Sequence, residues 1–269
     1  MTSIRATIRS MSADDWDAFY QIDQDIFPED MMREVTFRER VEAEGFFALE
    51  TNDGKLAGYL IVSRFGESGG HLGRIGVARA FQRQGLGTQL MRRAIEWFKA
   101  QGDITHAYLY TQHDNHPAQS LYKRFGFKVV GTTWHYFVPF DTIKPTHKYT
   151  CQPILPEEIE RVGAQYEANL PAASIRRFLE REFLILTLKD KEGRIVGACR
   201  YSPKFPGCFP FEIDDVEYFD DFIQGLRAYS LPAFDYVRVT FTENHELAQL
   251  LEARQYKLHH RLFQMRLEL

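Results

Sequence analysis

Cysteine is scarce in this chain of 269 residues, and the three present, Cys151, Cys199 and Cys208, show no C-x-x-C spacing. An odd, unpatterned set argues against a disulfide framework, offers no metal-ligand motif and suits a reducing compartment. Long apolar runs are also missing: no stretch approaches the ~18 residues needed to cross a bilayer. The first ten residues carry arginines but no apolar core of signal-peptide length. Nor does one sign of charge dominate, since 33 Lys and Arg face 37 Asp and Glu for a net charge of -4. That balance leaves no broad surface for nucleic acid or an anionic membrane, although Arg79, Arg83, Arg92 and Arg93 form a local basic group. A cytoplasmic protein with no nucleic-acid, membrane or metal partner is the expectation.

Hydrophobic residues make up 44% and aromatics 14% of the chain, with 22 phenylalanines, which is the composition of a packed globular protein. The length exceeds the usual single domain. A link over residues 141–146, containing Pro145, divides it into domains 1–140 and 141–269.

Gln82-Arg83-Gln84-Gly85-Leu86-Gly87 lies between a strand-like stretch, 72–77, and an amphipathic helical run, 88–101. A loop that opens a helix aims unpaired N–H groups and the positive end of the helix dipole at one point, which is an anion site. Glycine at 85 and 87 lets the backbone turn sharply and approach a phosphate, and Arg83 adds charge. Alone this is a weak signal, because glycine-bearing strand-to-helix turns are common. Upstream, Asp53-Gly54 marks a hairpin, and Gly73 and Gly76 inside a strand mark a bulge or a close approach to backbone. Residues 28–32 read as a connector or as one wall of a substrate cleft. Downstream, Asn115 and Pro117 open a further helix that ends at Gly126.

Gln82-x-x-Gly85-x-Gly87 is followed in order by Asn115-x-x-Ala118-x-x-Leu121-Tyr122-x-x-x-Gly126-Phe127. Together these resemble the GNAT superfamily of acyl-CoA-dependent N-acetyltransferases over residues 1 to about 140. The resemblance implies an α/β (α+β) fold with a central mixed, mostly antiparallel sheet flanked by helices and a splayed strand pair at the CoA site. It implies acetyl-CoA as cosubstrate. The backbone of Gln84, Gly85, Leu86, Gly87 and Thr88 would hold the pyrophosphate with Arg83 beside it, and Gln82 would shape the loop. Ile75 and Val77 would bond the pantetheine arm, and Asn115 its amides. Tyr122 would protonate the departing thiolate after direct attack by an amine. Tyr122 read alone is a half-buried aromatic, and Asn115 a helix cap. Six places before Val77, where relatives that use a strand carboxylate have glutamate, stands His71. Its unperturbed pKa near 6.5 suits a base; Glu67 and a water chain are the alternatives. His113 and His116 read as solvent-facing.

The second half repeats the first. Glu192-Gly193-Arg194-Ile195-Val196-Gly197 echoes Asp53-Gly54-Lys55-Leu56-Ala57-Gly58, and Asn244 to Leu251 echoes Asn115 to Tyr122. Where the phosphate loop would recur stand residues 211–221, acidic and without glycine, and Leu251 replaces Tyr122. The expectation is a degenerate GNAT-like second domain, whose acidic run is either a solvated helix start or a face for cationic amines. The acceptor is then a small-molecule or peptide amine, and the protein a monomer or homodimer. A non-catalytic acyl-CoA-binding module and an O- or thiol-acetyltransferase are the alternatives.

Overall fold

The computed structural model describes residues 5–66 and 68–269. The chain divides into two compact units, Met1–Val130 with Gln264–Leu269, and Gly131–Phe263.

In the first unit, β1 (Ala6–Ser10) turns into α1 (Trp16–Ile26). The turn is fixed by Asp15, which accepts from the Ser12 N–H at 2.8 Å and the Ser12 hydroxyl at 3.0 Å. Phe19 and Ile22 bury the inner stripe of α1, and Phe37 that of α2 (Glu34–Val41). They pack on β2 (Phe46–Thr51) and β3 (Leu56–Phe65), with Phe19 ring centroids 4.8 Å from Phe37 and 4.7 Å from Tyr59. β4 (Gly69–Val77), α3 (Leu86–Ala100), β5 (His106–Gln112) and α4 (His116–Arg124) follow. The strands lie in the order β1-β2-β3-β4-β5, antiparallel except for the parallel β4/β5 pair. Helices α1 and α2 cover one face. Helix α3 covers the other so closely that a Cβ on Gly70 would sit 2.5 Å from the Phe98 ring.

The end of the chain completes this unit. The Leu269 N–H donates to the Thr105 carbonyl at 2.9 Å, Arg266 to the Tyr108 hydroxyl at 2.9 Å and Gln264 to the Tyr110 hydroxyl at 3.1 Å. As one number rises the other falls, so residues 264–269 run antiparallel to β5.

The second unit has the same element order. After β6 (Lys128–Pro139) come β7 (Thr150–Pro153), α5 (Ile159–Gln165), α6 (Ala172–Glu180), β8 (Leu184–Lys189), β9 (Ile195–Ser202), β10 (Gly207–Ile213), α7 (Phe219–Arg227), β11 (Tyr236–Thr242), α8 (His245–Ala253) and β12 (Lys257–Glu268). Its strands are ordered β6-β11-β10-β9-β8-β7, and β10/β11 is again the parallel pair. Both units therefore have the mixed, mostly antiparallel α/β sheet that the resemblance implies.

The acidic run 211–221 differs from a solvated helix start at two positions. Asp220 and Asp221 are 8% and 4% exposed. Asp221 accepts from the Thr146 N–H and hydroxyl and from the His147 N–H, and Asp220 from the Lys144 N–H and the Arg254 guanidinium. They can be buried because loop N–H groups and a guanidinium satisfy their oxygens.

Candidate active site

The site begins with two strands that part. β4 pairs with β5 only from Gly69↔His106 to Leu72↔Leu109. Against β3, Leu72 pairs with Val62 and Arg74 with Ile61, so Gly73 is the extra residue of a bulge. Beyond it the Ala78 N–H donates to Ala57 across β3/β4 at 2.9 Å. Since N–H groups alternate in direction along a strand, those of Val77 and Ile75 point away from β3, toward the parted edge. The Val77 carbonyl points the same way and accepts from the Gln82 side-chain amide at 3.0 Å, which ties the following loop to the strand end.

That loop is built from positive φ angles, 64° at Arg83 and 82° at Gly85. Gly85 is the N-cap of α3 and accepts from Thr88 and Gln89 at 3.0 and 3.2 Å. The N–H groups of Leu86 and Gly87 precede this first pair of helical bonds and are the orphan donors of the helix start. A Cβ on Gly87 would press on Leu121 of α4 at 3.3 Å, so glycine also brings the two helices together here. Val77, Gln82, Arg83, Gly85, Leu86, Gly87, Thr88 and Asn115 line one pocket of about 430 Å³. Phe81, Pro117, Ala118, Leu121 and Arg124 complete its wall. Pro117, Leu121 and Arg124 recur at helical spacing on one face of α4. Arg124 was not singled out from the sequence, and its position one turn after Leu121 is the signal that could have found it. Ile75, Gln84, Tyr122 and His71 are not in this lining; the Gln84 side chain donates back to the Ala80 carbonyl at 3.4 Å.

Asn115 caps α4 by accepting from the Ala118 N–H at 3.2 Å, which commits its oxygen and leaves its NH₂ to donate into the pocket it lines. Gln119, absent from both motifs, donates to the carbonyls of Gln112 and His113 at 3.0 and 2.9 Å and so fastens α4 to the end of β5. Tyr122 is 6% exposed, with its ring 6.3 Å from that of Phe127. Its hydroxyl has no hydrogen-bond partner among the described residues. Burial pushes its pKa up to about 12, which keeps the phenol protonated at neutral pH.

His71 lies on the other face of the parted strands, under α1 and α2. It is paired across the sheet with Ser63 and with Tyr108 of β5, and its ring is 6.2 Å from Tyr110. Burial, helped by the Arg40 charge, lowers its pKa to about 4. The imidazole is therefore neutral at pH 7 but a much weaker base than the unperturbed value of 6.5 implies. Glu67 lies outside the described residues. On the same face Asp23, fully buried, accepts from the Tyr59 hydroxyl at 2.5 Å and from Arg74 and the Met32 N–H at 2.7 Å each. Arg74 also pairs with Asp30 at 2.8 Å. Residues 28–32 are thereby pinned beside β4.

In the second unit the strands part as well, since the β10/β11 pairing ends at Cys208↔Val239 and the β9/β10 register shifts between Cys208 and Phe211. Phe211, Phe219, Phe222, Phe241 and Leu251 fill that neighbourhood and are fully or almost fully buried. Asn244 still caps its helix, accepting from Leu247 at 2.9 Å.

The site thus combines the open N-terminus of α3 with the outward edge of a parted parallel strand pair, in an α/β unit of this order. Residues 8–127 match the model of the acetyltransferase (GNAT) family. The putative ribosomal protein bS18-alanine N-acetyltransferase of Bacillus subtilis is 29% identical over 134 residues, 49% of this chain and 87% of that protein. The N-alpha-acetyltransferase of Sulfurisphaera tokodaii is 28% identical over 141 residues, 48% of this chain and 84% of that protein. A GCN5-related N-acetyltransferase from Sphaerobacter thermophilus superposes with a TM-score of 0.73 at 15% identity, covering 98% of this chain and 95% of its own. A tandem GNAT protein from the clavulanic acid pathway gives 0.66 at 14% identity, covering 98% of each chain. Over residues 8–127 the chain is similar to the GNAT family, and these relatives support an N-acetyltransferase that uses acetyl-CoA.

Proposed function

We propose that the first unit transfers the acetyl group of acetyl-CoA to the α-amine of a peptide or protein N-terminus. The observation that carries this reading is the pocket in which the α3 N-terminus, Arg83, Asn115 and the outward edge at Val77 converge. The residues fit an acyl-CoA: Gly85 and Gly87 leave the cradle open to a pyrophosphate, Arg83 and Arg124 complement its charge, and the Asn115 amide and the Ile75 edge suit the pantetheine amides. Bound there, acetyl-CoA supplies a thioester activated for acyl transfer. The Val77 N–H donates to the carbonyl oxygen as charge develops on it. The acceptor amine forms the new C–N bond as the C–S bond breaks, and Tyr122 gives its proton to the departing sulfur. The amine's proton leaves to solvent, since the buried His71 imidazole is too weak a base to keep it. The relatives named for N-terminal and ribosomal-protein alanine acetylation favour a peptide over a small-molecule acceptor.

The second unit is read as a degenerate GNAT-like domain with no acyl-CoA site, and the protein as a cytoplasmic monomer or homodimer. No helix among the described residues is long and apolar enough to cross a membrane.

The test is to incubate the full chain with acetyl-CoA and peptides of varied first residue, beside free amino acids and polyamines, and to follow thiol release and product mass. Acetylation at the peptide N-terminus, with Tyr122→Phe slowing turnover about tenfold or more and leaving acetyl-CoA affinity within twofold, is the expected result. Transfer to polyamines alone would overturn the acceptor class. Tight acetyl-CoA binding with no transfer to any amine would favour a non-catalytic binding module.

A further inference from the structure

The end of α1 closes over the face of β4 that α3 does not cover. A Cβ on Gly76 would sit 3.0 Å from Cδ1 of Ile26 and 2.9 Å from the Tyr59 ring, so the last helical residue rests against the neighbour of Val77. The loop that follows, residues 27–32, thus starts beside the strand edge at which a thioester would lie. One buried carboxylate organises it. Asp23 accepts from the Tyr59 hydroxyl at 2.5 Å, from Nη1 of Arg74 at 2.7 Å and from the Met32 N–H at 2.7 Å, the set of donors that a charge out of water needs. Arg74 turns its other nitrogen, Nη2, to the loop, donating to the Asp30 carboxylate at 2.8 Å and to the Asp30 carbonyl. Its guanidinium also lies 4.7 Å from the centroid of the Phe27 ring. A single side chain of β4 therefore touches the loop at Phe27 and Asp30 and, through Asp23, at Met32. Arg74 is absent from the lining of the phosphate-cradle pocket.

We infer that Arg74 is a positioning residue for the acceptor, fixing residues 27–32 over the end of β4 as the wall that the amine meets on its way to the thioester. This rests on the acetyltransferase reading above and adds to it the residue that sets acceptor binding. With α3 and the cradle on one face of the parted strands, an amine reaches the Val77 edge from the face of α1 and its loop. Charge alone does not suffice for the bridge: the planar guanidinium reaches two carboxylates and a carbonyl at once, whereas a lysine ammonium is a single point charge. The side chain of Asp30 is 78% exposed and that of Arg74 only 15%. An ion pair between two mobile surface side chains contributes little, because both must be ordered. Here Asp23 and Phe27 already hold Arg74, so only Asp30 remains to be ordered.

The experiment compares, in the full chain, Arg74→Lys, which keeps a charge beside Asp23 but loses the bridge, with Asp30→Ala, which cuts the bridge at its exposed end. Arg74→Lys is expected to raise the KM for a peptide acceptor about fivefold and Asp30→Ala about threefold, with kcat and acetyl-CoA Kd within about twofold of wild type. A change that only loosened the fold would lower kcat and acetyl-CoA affinity together. The double variant is expected to be no worse than Arg74→Lys, because Asp30 acts through the bridge already lost. Amide hydrogen exchange in residues 27–32 is expected to rise about fivefold in Arg74→Lys. An unchanged acceptor KM, multiplying effects in the double variant, a matching loss of acetyl-CoA affinity or unchanged exchange in the loop would each overturn it. Should Arg74→Lys fail to fold, Asp30→Ala with an unchanged acceptor KM overturns it as well. Wild-type turnover separates the two levels: with no transfer to any amine both readings fall, whereas normal transfer with an indifferent Arg74 removes only this one.

Discussion

The two units share a parted parallel strand pair with a bulge beside it, and only one of them has a cradle at its end. In the first, β4 runs into a loop of positive φ that opens α3 through Gly85 and Gly87. In the second, the corresponding start of α7 carries Phe219, Asp220, Asp221 and Phe222, all buried. Splaying is thus a property of the sheet, whereas the open, glycine-bearing helix start belongs to the few residues after it. Aromatic side chains occupy the space that glycine leaves open, and carboxylates take backbone donors of the protein itself. Glu212 makes the contrast sharper: it pairs with Ala198 as Gly76 pairs with Tyr59, and burial raises its pKa to about 7.

The strongest way to break the comparison is Gly85→Glu. A φ of 82° is costly for an L residue, and the new carboxylate would face the pyrophosphate, so acetyl-CoA Kd should rise about 100-fold or more by calorimetry. Glu217→Gln at the matching end of the second unit should leave it unchanged. If both bind alike, the cradle is not where acetyl-CoA sits.

Asp221→Ala probes the other side. Removing the buried carboxylate that accepts three hydrogen bonds from Thr146 and His147 should cost about 2–3 kcal/mol, read as a lower Tm, with acetyl-CoA affinity unaltered. A stable variant with changed acceptor preference would instead make the acidic run part of a recognition face.

The smallest effect concerns His71. Its folded pKa of about 4 lies below the unfolded value near 6.5, so between these pH values the unfolded chain binds more protons and stability falls as pH drops. His71→Phe should remove on the order of 1 kcal/mol of that acid loss, discounted for partial exposure, in urea titrations at pH 7 and pH 4.5. An unchanged slope would place His71 in contact with water and restore it as a base.

Much of the first unit was legible in the sequence because its signals are local. The Asp53-Gly54 hairpin, the Asn115 cap and the glycine loop depend on residues within a few positions of one another. The bulge at Gly73 was foreshadowed by glycine in a strand. Arg124 and Gln119 escaped notice because neither belongs to a motif; their roles exist only once α4 lies against α3 and β5. Asp220 and Asp221 read as solvated charges, since nothing nearby reveals that the loop at Thr146 and His147 would fold over them.

The sequence by itself determined the spaced motifs, the repeat of element order and the absence of the glycine loop from the second copy. These follow from spacing and from backbone preferences set residue by residue. Tertiary structure decided that β4 and β5 part after Leu72, that residues 264–269 close the first unit's sheet, and that His71 is held neutral. Strand neighbours and desolvation depend on chain segments far apart in sequence, and no local pattern encodes them.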